Sequence, residues 1–215
     1  PEITLSREDV GLPEIGFVFC CFNNTWKITP TVFDSWAKIL DAVEASILLI
    51  YIDNKTAEKN LINEIKSRGI DSKRVIFANR YERPEYLARY RVADLFLDTH
   101  PYNAGTTASD ALKMGLPMLT MIGQSYQARM GASILTSINL PELITNTPEE
   151  YEALAIELAT NPNKLNAIKE KLKSNLTTAP LFDTKRFTKN IESAYTQMYE
   201  RSQKGLEPEH IYVEE

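Results

Sequence analysis

The chain has 215 residues, 43% hydrophobic and 25% charged, a balance typical of a soluble globular protein with a substantial core. No apolar run reaches the about 18 residues of a membrane span, and residues 1–10 do not have the pattern of a signal peptide. The formal net charge of −5 disfavours a nucleic-acid backbone as the main partner, since such sites usually need a basic face. The start at Pro1 suggests a fragment of a longer protein.

Short apolar runs alternate with helical patterns along the first two thirds of the chain. Residues 16–22 form a continuous apolar run, and Pro30 then opens a helix with Thr29 as its cap. Further strands are predicted over 46–52, 74–78, 94–98 and 117–121, and helices over 56–67, 84–92, 106–114 and 125–137. This alternation predicts an α/β fold, a Rossmann-like parallel sheet with helices on both faces. Cys20 and Cys21 are adjacent in the first run, which indicates buried reduced thiols and a cytoplasmic protein.

The last third of the chain reads as helical. Helices are predicted over 148–160, 162–174 and 183–202. The expected organisation is a lead-in over 1–10, a Rossmann-like core over 11–140, C-terminal helices over 141–204 packing on the same domain, and a loose tail over 205–215.

The loop after the predicted fourth strand has the composition of a phosphate site. Ligands of parallel sheets bind beyond the carboxyl ends of the strands, and here Gly105 precedes Thr106 and Thr107 at a helix start. Free N–H groups and the helix dipole favour an anion at such a start, glycine allows a close approach, and hydroxyls add donors. Asp110, one turn later, is a candidate to accept from ribose hydroxyls. The alternative is an ordinary connection in which a threonine only caps the helix.

Two cations and a histidine are further candidates. Lys27, with Asn24 in the loop after the first strand, is placed to neutralise a diphosphate, although a solvated lysine is the commoner case. Arg89 is suited to stack on a base or pair with a phosphate, or it forms a surface salt bridge. His100 lies in the loop after the fourth strand, where a lone histidine usually has no chemical role. Two histidines and two adjacent cysteines make no zinc site, and no P-loop, G-x-G-x-x-G fingerprint or G-x-S-x-G elbow occurs.

Four segments together resemble one family. They are Phe19–Pro30, Ala93–Thr107, Ser109–Thr120 and Pro180–Phe187. They are similar to the C-terminal catalytic lobe of the O-linked N-acetylglucosamine transferases and their bacterial SPINDLY-like relatives, and the likeness runs from about Gly11 to Met198.

The resemblance implies the donor-binding lobe of a GT-B enzyme that transfers sugar to protein Ser or Thr with inversion and without an essential metal or cofactor. By this resemblance Lys27 contacts the diphosphate and stabilises the leaving group. Thr106 and Thr107 bind phosphate and Asp110 the ribose, while Arg89 lies against the base. The donor is a UDP-sugar, most simply UDP-N-acetylglucosamine. The other catalytic lobe and the tetratricopeptide repeats that usually bind the protein acceptor are missing, so we expect little or no turnover from the fragment.

Two departures leave the donor open. Tyr86 and Gly105 stand where the animal enzymes carry histidines beside the base and the phosphate loop, and SPINDLY-type relatives transfer fucose from GDP. The alternatives are a GDP-fucose-dependent lobe, a non-catalytic nucleotide-binding or protein-interaction module, and a GT-B enzyme with lipid or glycan acceptors. A dehydrogenase or epimerase is disfavoured, because the glycine fingerprint of dinucleotide-binding folds is missing.

Overall fold

A computed structural model describes residues 3–213, so the predicted lead-in and tail each extend two residues outside the described range. Within that range six strands form one parallel sheet. They are β1 Phe17–Cys21, β2 Ser46–Tyr51, β3 Val75–Ala78, β4 Leu95–Leu97, β5 Met118–Met121 and β6 Ile144–Thr145. Their order is β3-β2-β1-β4-β5-β6, and every neighbouring pair is parallel.

This strand order reverses direction between β1 and β4, which are neighbours through Phe19–Leu95 and Cys20–Phe96. Right-handed crossovers on the two sides of the reversal place helices on opposite faces. At this reversal the loops after β1 and β4 leave a crevice at the carboxyl edge of the sheet, which is where open α/β sheets bind ligands. The predicted parallel α/β sheet is therefore confirmed.

Eight α-helices connect or follow these strands in the described part of the chain. They are α1 Pro30–Ala42, α2 Lys55–Ser67, α3 Arg83–Ala88, α4 Thr106–Lys113, α5 Tyr126–Ser137, α6 Pro148–Thr160, α7 Pro162–Thr178 and α8 Thr184–Gln203. The Thr29 side chain accepts from the backbone N–H of Val32 at 3.3 Å and caps α1, as predicted.

The structure departs from the predicted elements in two places. The strand β6 was not predicted, because two residues are too few to show a period. The single helix predicted over 84–92 is wrong in its second half: α3 ends at Ala88 and a 3₁₀ turn over Arg89–Val92 leads into β4. That turn buries Arg89, Tyr90 and Val92, so tertiary packing determines its shape.

The helix α6 returns to the sheet and packs against α1. The indole Nε1 of Trp36 donates to the Tyr151 hydroxyl at 3.2 Å, and Ser35 donates to Glu152 at 2.6 Å. Trp36 is fully buried, so this contact ties α6 to the core. The lead-in is held by Arg7, which lies 2.8 Å from the carboxylate of Asp94.

Candidate functional site

The loops after β1 and β4 meet at the carboxyl edge of the sheet. Lys27 ends a 3₁₀ turn, Thr25–Lys27, in the first loop, and its Nζ donates to the carbonyl oxygen of Asn103 in the second at 2.9 Å. The ammonium also lies 4.1 Å from the centre of the Tyr102 ring. Partial burial lowers the pKa of Lys27, and the negative charge of Asp98 opposes that shift. Lys27 is thus a half-buried cation at the position where the sequence predicted one.

The N-terminus of α4 lies in the same crevice. Gly105 occupies the cap position without a side-chain hydrogen bond, so no side chain satisfies the first N–H groups. Thr106 is exposed, whereas Thr107 is half-buried and donates to Oδ1 of Asn23 at 2.5 Å. A methyl group on Gly105 would meet Met130 at 3.9 Å, an ordinary contact, so packing within the chain does not require glycine there.

A buried carboxylate, Asp98, organises the loop beneath these residues. Its Oδ1 accepts from the backbone N–H groups of Thr99 at 2.8 Å and Ala104 at 2.7 Å, and its Oδ2 from the Thr120 hydroxyl at 2.7 Å. Burial raises the pKa of Asp98 to about 6, and these hydrogen bonds partly oppose the shift. Asp98 therefore fixes the loop from inside.

Asp110, the residue predicted to contact a ribose, belongs to a second cluster of polar side chains. Arg83 binds both of its carboxylate oxygens, at 2.8 and 2.7 Å, and the Tyr86 hydroxyl donates to Oδ2 at 3.1 Å. The Arg83 side chain is 60% exposed, whereas Asp110 is buried, so the pair opens to solvent from the arginine side. Burial raises the pKa of Tyr86, which stays a neutral donor near pH 7.

Arg89 lies inside the protein, beneath Tyr86. Its guanidinium carbon is 3.9 Å from the centre of the Phe22 ring and 4.6 Å from that of Tyr86. One N–H donates to the carbonyl of Asn79 at 3.1 Å, while Nε is buried without a hydrogen-bond partner among the described residues. With only 2% of the residue exposed, the alternative of a surface salt bridge is wrong.

The remaining candidates, Asn24 and His100, lie at the margin. Asn24 is exposed, and its carbonyl accepts from the N–H of Lys27 at 3.0 Å. His100 lines an apolar cavity of about 250 Å³ together with Val32, Pro101 and Tyr151. No hydrogen bond joins Asn24 or His100 to the Thr107 or Asp110 side chains within the described range.

Sequence reasoning missed Asn23, Asp98 and Arg83 as members of the site. Asn23 and Asp98 stood in the two segments that were singled out, at the ends of buried strands, and that position was the available signal. Arg83 lies 27 residues before its partner Asp110, and nothing in the spacing indicates the pairing.

Two further findings concern residues 3–213. No helix in this range has both the length and the apolar character needed to cross a membrane. The same range contains no group of three or more His, Cys, Asp or Glu side chains that could hold a metal ion.

Comparisons with known proteins agree on one family. The family described as Glycosyl transferase family 41 matches residues 2–191. The probable UDP-N-acetylglucosamine–peptide N-acetylglucosaminyltransferase SEC of Arabidopsis thaliana is 34% identical over 214 residues, which cover 99% of this chain and 22% of that protein. The barley (Hordeum vulgare) protein SPINDLY, named as a probable enzyme of the same activity, is 33% identical over 198 residues, or 90% of this chain and 21% of that protein.

A solved structure gives the same likeness in three dimensions. A mutant of the Thermobaculum terrenum O-GlcNAc transferase superposes with a TM-score of 0.82 at 33% identity, over 86% of this chain and 36% of that one. The fold is thus the Rossmann-like lobe of a GT-B glycosyltransferase, as the resemblance implied. The chain spans about a fifth of the length of the two plant relatives.

Proposed function

We propose, because this chain belongs to Glycosyl transferase family 41, that it is the donor-binding lobe of an inverting, metal-independent O-glycosyltransferase. The donor is a nucleotide sugar, most simply UDP-N-acetylglucosamine, and the acceptor a protein Ser or Thr. One observation carries the proposal. Lys27 lies next to the start of α4, which no side chain caps, because its ammonium donates to the carbonyl of Asn103, three residues before Thr106. A cation and a helix N-terminus in one crevice are suited to a diphosphate.

The chemistry follows from where charge develops. Transfer of the sugar leaves a nucleoside diphosphate, whose negative charge grows in the transition state, and groups that act on that charge accelerate the reaction. Lys27 now donates to a neutral carbonyl, and a phosphate oxygen would be a stronger partner because both groups are charged. The N–H groups at the start of α4 add the positive end of the helix dipole.

The nucleoside has its own proposed contacts. Asp110 is held by Arg83 and Tyr86, so its orientation is fixed before a ribose hydroxyl donates to it. Tyr86 offers a ring to the base, and the buried Arg89 supports that ring from beneath rather than presenting an exposed face of its own. Asn24 and Gly105 stay proposed contacts at the rim of the phosphate site.

The acceptor is proposed to be bound outside this chain. The two plant relatives are about five times as long as the matched part, which leaves room for a second catalytic lobe and for repeats that bind protein. This lobe alone is expected to bind nucleotide and to show little or no turnover.

Calorimetric titration with UDP and with GDP tests the proposal. UDP binding that Lys27→Ala weakens about tenfold or more is the expected result, since a hydrogen bond to a charged group is worth about 1.5–3 kcal/mol. Lys59→Ala, an exposed lysine on α2, is the matched control and should leave the affinity unchanged. A preference for GDP would move the donor toward GDP-fucose. A folded chain that binds neither nucleotide would refute the donor-lobe proposal and favour an interaction module.

A further inference from the structure

We propose that Asp98, acting through Asn23, is a positioning residue that commits the hydroxyl hydrogen of Thr107 to the protein. Of the paired threonines, only Thr106 then offers a hydroxyl donor to a phosphate, while Thr107 contributes its backbone N–H. The ligand in question, a nucleoside diphosphate, rests on the proposed function. The direction of the hydrogen bonds rests on the buried side chains alone.

Asp98 sets the direction of these hydrogen bonds, because its Oδ1 can only accept. Two backbone N–H groups, those of Thr99 and Ala104, already point at this oxygen, and a backbone N–H has no lone pair with which to accept. A proton on the carboxyl group would therefore sit on Oδ2, which faces the Thr120 hydroxyl. Oδ1 of Asp98 is an acceptor in both protonation states.

Asn23 takes its orientation from that acceptor. The two ends of an amide side chain have nearly the same shape, so the hydrogen-bond network has to decide between them. The end that lies 3.2 Å from Oδ1 of Asp98 must be the Nδ2 donor, because two facing acceptors would repel. Nδ2 also donates to Oγ1 of Thr99 at 2.8 Å, and that hydroxyl passes its own hydrogen to the Tyr102 carbonyl at 2.6 Å. Oδ1 of Asn23 is thereby turned toward α4.

Thr107 completes the chain of donors. Its Oγ1 lies 2.5 Å from Oδ1 of Asn23, which cannot donate, so the single hydroxyl hydrogen of Thr107 goes to Asn23. What remains on this hydroxyl is lone pairs, which do not attract a phosphate oxygen. The Thr106 side chain is exposed, and its hydroxyl has no hydrogen-bond partner among residues 3–213. The two threonines therefore have different roles despite their adjacency.

Valine, which has the shape of threonine without the hydroxyl, separates the two roles. Thr106→Val should weaken UDP binding about tenfold, the effect of one hydrogen bond to a charged group, with no change in the midpoint of thermal unfolding. The loss of UDP affinity in Thr107→Val should be at least fivefold smaller than the loss in Thr106→Val. Thr107→Val should also lower the midpoint of thermal unfolding by at least about 2 °C, because Asn23 loses its partner. Equal losses of affinity, or a larger loss for Thr107→Val, would overturn the assignment.

Asn23→Ala gives a signature that a purely structural role would not produce. It releases the Thr107 hydroxyl, which can then turn to the ligand, so Thr107→Val should weaken UDP binding more in this background than in the native one. Asp98→Asn is the conservative variant, because its amide oxygen can keep the three N–H donors, and it should preserve the native difference between the two valine variants. If Thr107→Val weakens UDP binding by the same factor in the Asn23→Ala background as in the native chain, the proposed role of Asn23 is contradicted. If Asn23→Ala does not fold, the two valine variants still decide.

A second measurement separates this inference from the proposed function. The thermal midpoints of Asn23→Ala, Thr107→Val and the double variant, taken without nucleotide, should be non-additive because the two side chains share one hydrogen bond. Additive shifts would overturn the inference even in a chain that binds UDP. Non-additive shifts in a chain that binds neither UDP nor GDP would keep the hydrogen bond and reject the donor site.

Discussion

Gly131, in the middle of α5, is the point at which a single added methyl group should strain the site from behind. A Cβ atom there would lie 2.4 Å from Oγ1 of Thr120 and 2.7 Å from Oδ2 of Asp98. Both distances are shorter than any van der Waals contact, and both atoms belong to buried side chains that are bonded to each other at 2.7 Å. Gly131→Ala must therefore move the helix or break this hydrogen bond.

Three effects set the size of the change. Overpacking in a buried region costs about 1–3 kcal/mol. A buried hydrogen bond left unmade adds about 1–3 kcal/mol. Alanine returns about 1 kcal/mol, because it is the better helix former. The expected net loss is about 1–5 kcal/mol of unfolding free energy, which for a chain of this size lowers the thermal midpoint by about 2–20 °C.

Thermal unfolding of Gly131→Ala against two variants of Ser133 tests this reasoning. Ser133 is exposed on the same helix, so Ser133→Gly and Ser133→Ala report the glycine-to-alanine effect of α5 without the steric contact. Alanine should be more stable than glycine at 133 and less stable at 131. If alanine is favoured at both positions by the same amount, the close approach of α5 to Asp98 is refuted.

Two further predictions concern the same buried group. Asp98 holds its proton more tightly in the folded chain, with a pKa of about 6 against 3.8, so its contribution to stability is present below about pH 4 and lost as the pH rises through 6. The unfolding free energy of Asp98→Asn, relative to that of the native chain, should thus rise by about 2 kcal/mol between about pH 4.5 and pH 7.5, as measured by urea unfolding. The same free-energy difference between variant and native chain at both pH values would contradict the raised pKa. Tyr151→Phe removes a buried hydroxyl that donates to the Asp98 carbonyl at 3.0 Å and accepts from Trp36, and it should cost about 1–3 kcal/mol. A native unfolding midpoint for that variant would show that these contacts contribute nothing.

Most of the sheet could be predicted from the sequence, because buried parallel strands are continuous apolar runs between turn residues. The run over 16–22 contains β1, and the helix opened by Pro30 begins where the cap signal indicated. Prediction failed where the local pattern was too short or was overruled by packing. β6 has two residues, and the chain from Arg89 to Val92 turns tightly to bury its side chains.

The site was predictable as a set of loops and not as a set of side-chain roles. Asn24 was selected from its loop, whereas its neighbour Asn23 is the one that points inward and bonds to Thr107 and Asp98. A loop has no fixed period, so its sequence does not say which of two adjacent asparagines faces the protein. Arg89 shows the same limit: its charge suggested an exposed contact, and the rings of Phe22 and Tyr86 enclose it.

The buried network also explains how an acidic residue can lie beneath a site proposed for an anion. The carboxylate of Asp98 accepts hydrogen bonds from the backbone N–H groups of Thr99 and Ala104, so its charge stabilises the loop that carries these residues. The groups that face the crevice are the Lys27 ammonium and the start of α4, both positive. The buried carboxylate of Asp98 thus fixes the geometry of the loop, and the loop in turn positions the positively charged groups that face the crevice. We therefore expect variants of Asn23 to change both stability and the roles of the threonines. Variants of Asp98 should change stability, and variants of Lys27 should change affinity with little effect on folding.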